Sequence, residues 1–130
     1  MQPRPATLLI VEDNEMNLEA LSRLLMRRGF QVLGASSGEE ALRIASESRP
    51  HLILMDIGLP GIDGYETTRR LKLEAHTAVI PVIALTAHAL VTDRDRAFEA
   101  GCVEFDTKPI DLARLCAKIA AALAPPTAEA

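Results

Sequence analysis

Short runs of consecutive aliphatic residues alternate along this chain with longer stretches whose apolar positions recur every three or four residues. Residues 8–11, 52–55 and 82–85 have strand length and no polar interruption. Leu18, Leu21 and Leu25 keep helical spacing instead, as do Leu112, Leu115, Cys116, Ile119 and Leu123. The alternation predicts a parallel sheet covered by helices on both faces. Strands are expected at about 7–12, 31–35 and 52–56, then from Pro81, which opens a strand where a missing N–H does least harm, and over a short stretch near 103–106.

Local punctuation places the helices. Asn14 is an N-cap for a helix to Arg28, with Gly29 just past its end. Ser37 and Glu40 form a capping box that opens a helix to about Ser48, burying Ala41, Leu42 and Ala45. Further helices are expected from Tyr65 to about Ala75 and from about Thr92 to Ala100, the second ending at Gly101. Asp111 caps the last one, and Pro125-Pro126 stops it. Five β/α units make a doubly wound α/β domain over residues 1–124, with a short tail at 125–130. In such sheets ligands sit beyond the carboxyl ends of the strands, where strand order reverses.

The residues at those ends carry the candidate chemistry. The first strand runs into Glu12 and Asp13, the third into Asp56 before an Ile57-Gly58-Leu59-Pro60-Gly61 turn, the fourth into Thr86, and the fifth into Thr107-Lys108-Pro109. Three carboxylates, a hydroxyl and a lysine brought to one edge would form a metal-assisted phosphoryl-acceptor site.

Composition narrows the alternatives. The chain has 130 residues, 48% of them hydrophobic and 25% charged, so it is long enough to bury one core without staples. Its aromatic residues are Phe30, Tyr65, Phe98 and Phe105, too few to make the stacking platforms of a single-strand nucleic-acid binder. A net charge of −4 with scattered arginines argues against duplex binding. Cys102 and Cys116 fit no metal pattern and read as reduced thiols of a cytoplasmic protein. No apolar run approaches a membrane span, and the N-terminal one is too short for a secretory signal.

Four motifs in register carry a resemblance: Val-Glu-Asp-Asn-Glu at 11–15, Leu-Met-Asp-Ile-Gly-Leu-Pro-Gly-Ile-Asp-Gly at 54–64, Ala-Leu-Thr-Ala at 84–87 and Thr-Lys-Pro at 107–109. Together they resemble the receiver domain of two-component response regulators, over nearly the whole chain. The resemblance implies a flavodoxin-like (βα)5 fold with strand order 2-1-3-4-5. It implies that Asp56 takes a phosphoryl group from a histidine kinase or histidine phosphotransfer protein. Mg²⁺ would be bound by Asp13 and Asp56 directly, by Glu12 through water, and by the backbone carbonyl of Gly58. Lys108 would pair with a phosphoryl oxygen, and its bond to Pro109 is typically cis in this family. Thr86 would contact the phosphoryl group, with Phe105 as the aromatic switch. Output would be onward transfer or contact with a downstream protein on the face formed by the helix near 92–100, the fifth strand and the last helix. A protein of this kind catalyses its own phosphorylation and dephosphorylation but is primarily a signalling protein, expected here as a monomer.

Taken singly, each residue has a plainer reading. Asp13 is then a helix-initiating acid, Asp56 a loop cap, Lys108 a solvated lysine, Thr86 a strand residue and Phe105 core. His51, His76 and His88 lack metal-ligand spacing and read as surface or structural. Recurrence at one edge favours the joint reading. Gly58 departs from the family, which often has a polar or larger side chain there; with His88 it flanks the path of a hydrolytic water, and slow phosphate loss is expected. Asp106 places an acid beside the switch aromatic, a spacing seen in receivers of hybrid kinases. The competing readings are a pseudo-receiver read without phosphorylation, a receiver fragment of a hybrid histidine kinase, a haloacid-dehalogenase-type phosphatase and a flavodoxin. Met1 and the tail favour a free-standing protein over the hybrid-kinase fragment. The phosphatase would need a second acid where Gly58 stands, and Glu12-Asp13 would repel a flavin phosphate.

Overall fold

The computed structural model describes residues 5–87 and 90–124, and among them strands and helices alternate without exception save for one extra helical turn. The elements are β1 (Thr7–Val11), α1 (Glu15–Arg27), β2 (Gln31–Ala35), α2 (Gly38–Ser48), β3 (Leu52–Asp56), α3 (Gly64–Leu73), the single turn α4 (Ala75–Ala78), β4 (Val82–Thr86), α5 (Val91–Ala100), β5 (Glu104–Thr107) and α6 (Leu112–Leu123). All strand pairs are parallel and the sheet order is β2-β1-β3-β4-β5. The order reverses at β1, which has β2 on one side and β3 on the other. A crevice therefore opens beyond the carboxyl ends of β1 and β3.

The uninterrupted aliphatic strands are the central ones because both of their faces are covered. Leu8, Ile10, Leu52, Leu54, Ile83 and Leu85 point to one face and pack with Leu25 of α1 and Leu115 and Ile119 of α6. Leu9, Val11, Ile53, Met55, Val82 and Ala84 point to the other, against Ala41 and Ala45 of α2, Leu71 of α3, and Ala97 and Ala100 of α5. Burying each large aliphatic side chain stabilises the fold by about 1.5–3 kcal/mol, so the two layers hold the strand ends in fixed register.

The helix starts follow local side-chain chemistry. Asn14, Ser37, Asp63 and Asp111 each accept a hydrogen bond from the backbone N–H three residues on, at 2.9, 3.1, 2.9 and 2.9 Å. The capping box at α2 closes one residue early: Glu40 accepts from the N–H of Ser36, at 2.7 Å, not from that of Ser37. Gly29 and Gly101 take the left-handed conformation after α1 and α5, with φ of 96° and 114°.

One element differs from expectation. The helix expected to run from Tyr65 to about Ala75 starts at Gly64 and stops at Leu73. Glu74 is extended, and the chain re-coils as α4. The Thr77 hydroxyl donates to the Leu71 carbonyl at 2.7 Å, while Lys72 Nζ donates to the carbonyls of Ala78 and Ile80 at 3.0 and 2.7 Å. The Thr77 bond satisfies a carbonyl of the last turn of α3, and the Lys72 bonds tie that helix to the segment after it. Residues 125–130, expected as a tail, lie outside the described residues.

Gly64 is the tightest fit near the end of β3. A Cβ there would lie 2.5 Å from the Asp56 carbonyl oxygen and 2.7 Å from Ile57 Cα, both backbone atoms with no room to yield. Gly64→Ala is therefore expected to destabilise the protein by about 1–3 kcal/mol in chemical denaturation, an overpacking cost. An unchanged denaturation midpoint would show that the loop after β3 moves freely.

Candidate functional site

Parallel register brings the ends of β1, β3, β4 and β5 to one edge of the sheet. Val11 lies beside Met55, Asp56 beside Leu85, and Thr86 beside Thr107, so Glu12, Asp56, Thr86 and Lys108 all emerge there. The chain is tied down where each one leaves the sheet. Glu12 N–H donates to the Ala35 carbonyl at 3.0 Å, Ile57 N–H to Leu85 at 3.0 Å, and Lys108 N–H to Thr86 at 2.8 Å. The Lys108–Pro109 peptide bond is cis.

The sequence reading expected three acids to cluster, and they do. Glu12, Asp13 and Asp56 each offer a carboxylate oxygen, and these oxygens lie within 4.8 Å of one another. Glu12 and Asp56 are buried, at 7% and 6% exposure, whereas Asp13 faces solvent. Lys108 Nζ lies 3.2 Å from Glu12 Oε1 and 3.4 Å from Asp56 Oδ1. The second oxygen of Glu12 accepts from Asn14 N–H at 3.1 Å, and Asp56 Oδ1 accepts from Gly58 N–H at 3.1 Å.

One lysine does not neutralise three acids. Burial raises the carboxyl of Glu12 above its usual range, and the Asp56 charge adds to this; the Asn14 N–H and Lys108 oppose it without reversing it. Burial pulls the Lys108 ammonium down, but Asp56 and Glu12 outweigh that and hold it above its ordinary value. The set is a compact patch of hard oxygen donors with surplus negative charge, which fits a small divalent cation such as Mg²⁺.

The other expected residues fall around this cluster. Thr86 is buried at 6% exposure and lines a cavity that also reaches Asp56 and Gly58. Phe105 is half-buried against the core, with Lys118 Nζ 5.7 Å from its ring centre. Gly58 is exposed, and a Cβ built on it would meet only Asp56 Oδ1, at 3.9 Å. His88, expected beside the path of a hydrolytic water, lies outside the described residues. His51 and His76 are structural: His51 Nδ1 accepts from Thr7 N–H at 2.9 Å, and His76 Nε2 is 2.9 Å from the Ser46 hydroxyl.

Two arrangements near the site go beyond the sequence reading, which marked Asp106 but not its partners on α6. Asp106 is 2% exposed; its Oδ1 accepts from Arg114 Nε at 2.8 Å and from Thr107 N–H at 2.8 Å, with Lys118 Nζ at 3.7 Å. Lys118 also donates to the Phe105 carbonyl at 2.6 Å, so α6 grips the strand that carries this aromatic residue. Secondly, Tyr65 and Arg96 wall the cavity at Asp56, the guanidinium lying 4.2 Å above the phenol ring. An Asp with basic residues on a later helix is a readable signal for the first; the Tyr65–Arg96 pair has none.

Comparison with known proteins agrees with this geometry. Residues 8–120 match the family model of the response regulator receiver domain. The polar-differentiation response regulator DivK of Brucella anthropi is 43% identical over 110 residues, covering 85% of this chain and 89% of that protein. A putative response regulator from Chloroflexus aurantiacus superposes with a TM-score of 0.89 at 36% identity, covering 93% of this chain and 99% of the other. The receiver domain of the sensor histidine kinase PA1611 from Pseudomonas aeruginosa, whose structure has a magnesium ion in its active-site cleft, superposes with a TM-score of 0.85 at 34% identity, covering 92% and 98%. Motifs, topology, acidic cluster and relatives converge, and the chain belongs to the receiver domains of two-component response regulators.

Proposed function

We propose that Asp56 is the phospho-acceptor of this response regulator and that Glu12, Asp13, Thr86 and Lys108 serve the transfer. The observation that carries the reading is the bridge from Lys108 to both Glu12 and Asp56 inside a cluster of acids. The donor is the phosphohistidine of a histidine kinase or phosphotransfer protein, the partners with which this family works. A cytoplasmic site of action follows from that chemistry, and no helix among the described residues is long and apolar enough to cross a membrane.

Asp13 and Asp56, the carbonyl of Gly58 and, through water, Glu12 are the groups that would hold Mg²⁺. The ion supplies positive charge against which an anionic phosphoryl group can approach three acids. Asp56 presents its carboxylate, oriented by the Gly58 N–H. Lys108 exchanges its contact with Asp56 for one with a phosphoryl oxygen while keeping its strand position. Thr86 stands across the cavity and donates its hydroxyl to the phosphoryl group. That pull biases Phe105 inward and alters the face made by α5, β5 and α6, where a monomeric protein would meet its downstream target. The bias exists only because the phosphoryl contact is stronger in one state than in the other.

With Mg²⁺ and acetyl phosphate, intact-mass analysis is expected to show one added phosphoryl group on the parent and none on Asp56→Asn. Labelling of the variant to the parent's level would move the acceptor elsewhere. Thr86→Ala is expected to remain phosphorylatable, yet to lose the phosphorylation-dependent change in partner binding measured by titration. A full change in that variant would remove Thr86 from the switch.

The metal-free site should also register in stability. Glu12 has a folded value above its ordinary 4.5, so its contribution is fully present below that pH and is lost as pH rises through the folded value. Lys108 is likewise raised, so its contribution persists below 10.5 and is lost as pH rises through its folded value. At neutral pH the ionised Glu12 therefore costs stability. Glu12→Gln is expected to raise the melting temperature of the metal-free protein by about 3 °C at low salt while weakening stabilisation by Mg²⁺. A melting temperature that stays level or falls would count against the surplus negative charge.

A further inference from the structure

The cavity beside Asp56 has a volume of 420 Å³ and continues past Thr86 to Tyr65, Asp63, Asp93 and Arg96. Tyr65 is 3% exposed, and its hydroxyl donates to the Asp93 carbonyl at 3.3 Å, so the ring is a fixed platform. The Arg96 guanidinium lies over that platform, 4.2 Å from the ring centre, and the residue is exposed. Among the described residues its guanidinium makes no ion pair or hydrogen bond. Asp63 is already committed as the cap of α3. Arg96 is thus the cation of a wall whose other ionised groups are carboxylates, and it is absent from the phosphoryl-binding set described above.

We infer that Arg96 is a specificity-determining residue for small phosphodonors, one that receives the carboxylate leaving group of an acyl phosphate as the phosphoryl group passes to Asp56. The inference rests on Asp56 being the acceptor. In the transfer, an Asp56 oxygen forms a bond to phosphorus while the bond from phosphorus to the acyl oxygen breaks. The electron pair leaves with that oxygen as a carboxylate, and no proton moves. A guanidinium matches a carboxylate with two parallel N–H bonds, and one held against an aromatic face needs little reordering to do so. A phosphoramidate lacks this requirement. Its P–N bond breaks with the nitrogen already protonated, and neutral ammonia departs. The cavity therefore discriminates by the charge on what leaves.

The test compares two donors, acetyl phosphate and phosphoramidate, on the full chain with Mg²⁺, following labelling by intact mass. Arg96→Gln is expected to lower the rate constant for acetyl phosphate about fivefold, the order of one charge lost at several ångströms, while the rate with phosphoramidate changes by less than about twofold. Arg96→Lys keeps a charge without the fork and should recover part of the acetyl phosphate rate. Equal slowing with both donors, or no slowing with either, overturns the inference while leaving Asp56 as acceptor. A parent protein labelled by neither donor overturns the acceptor reading and this one with it. An unchanged melting temperature for the Gln variant separates the effect from loss of fold.

Discussion

A single ammonium group ties the working edge of this protein together. Lys108 lies within 3.4 Å of acids that follow β1 and end β3, while its own backbone is bonded to β4. Elements distant in sequence thus meet at one charge. The charges do not balance: one cation faces three carboxylates, and burial, with the Asp56 charge added to it, raises Glu12. An ionised Glu12 costs the fold stability there, and protonation removes that cost.

The scaffold holds these like charges together because it is stiff. β1, β3 and β4 are buried on both faces, and their side chains alternate between two separate apolar layers. A slip of one residue in any of them would exchange the layers, so register is strongly specified. At the outer strand β5 the restraint changes character. Arg114 and Lys118 of α6 hold the Asp106 carboxylate, and Lys118 holds the Phe105 carbonyl as well. The backbone of β5 is pinned by these bonds, while the Phe105 ring it carries stays half-buried against the core.

Much of this was legible in the residue order, for a physical reason. Strand runs were visible because doubly covered strands have no polar positions, and Asn14, Ser37 and Asp111 were readable as caps because a cap bonds three residues away. The acids and the lysine stood out because each follows a strand. What escaped depends on distance. The end of α3 is set by Lys72 reaching Ala78 and Ile80, and by Thr77 reaching back to Leu71. No helix propensity records such bonds, and the helix was expected two residues longer. Tyr65 and Arg96 meet only because α3 and α5 lie on the same face of the sheet.

Gly58 stands beside Asp56 yet carries none of the packing of the fold. Its missing side chain leaves open space bounded by one oxygen of Asp56, and nothing in the core leans on it. Orienting a water is a large part of a hydrolytic rate, so under the proposed acceptor role a side chain in that space would act on how long Asp56 stays phosphorylated. The same exchange perturbs no packed surface. On that reading, a single substitution there would lengthen or shorten a molecular memory without disturbing any packed surface.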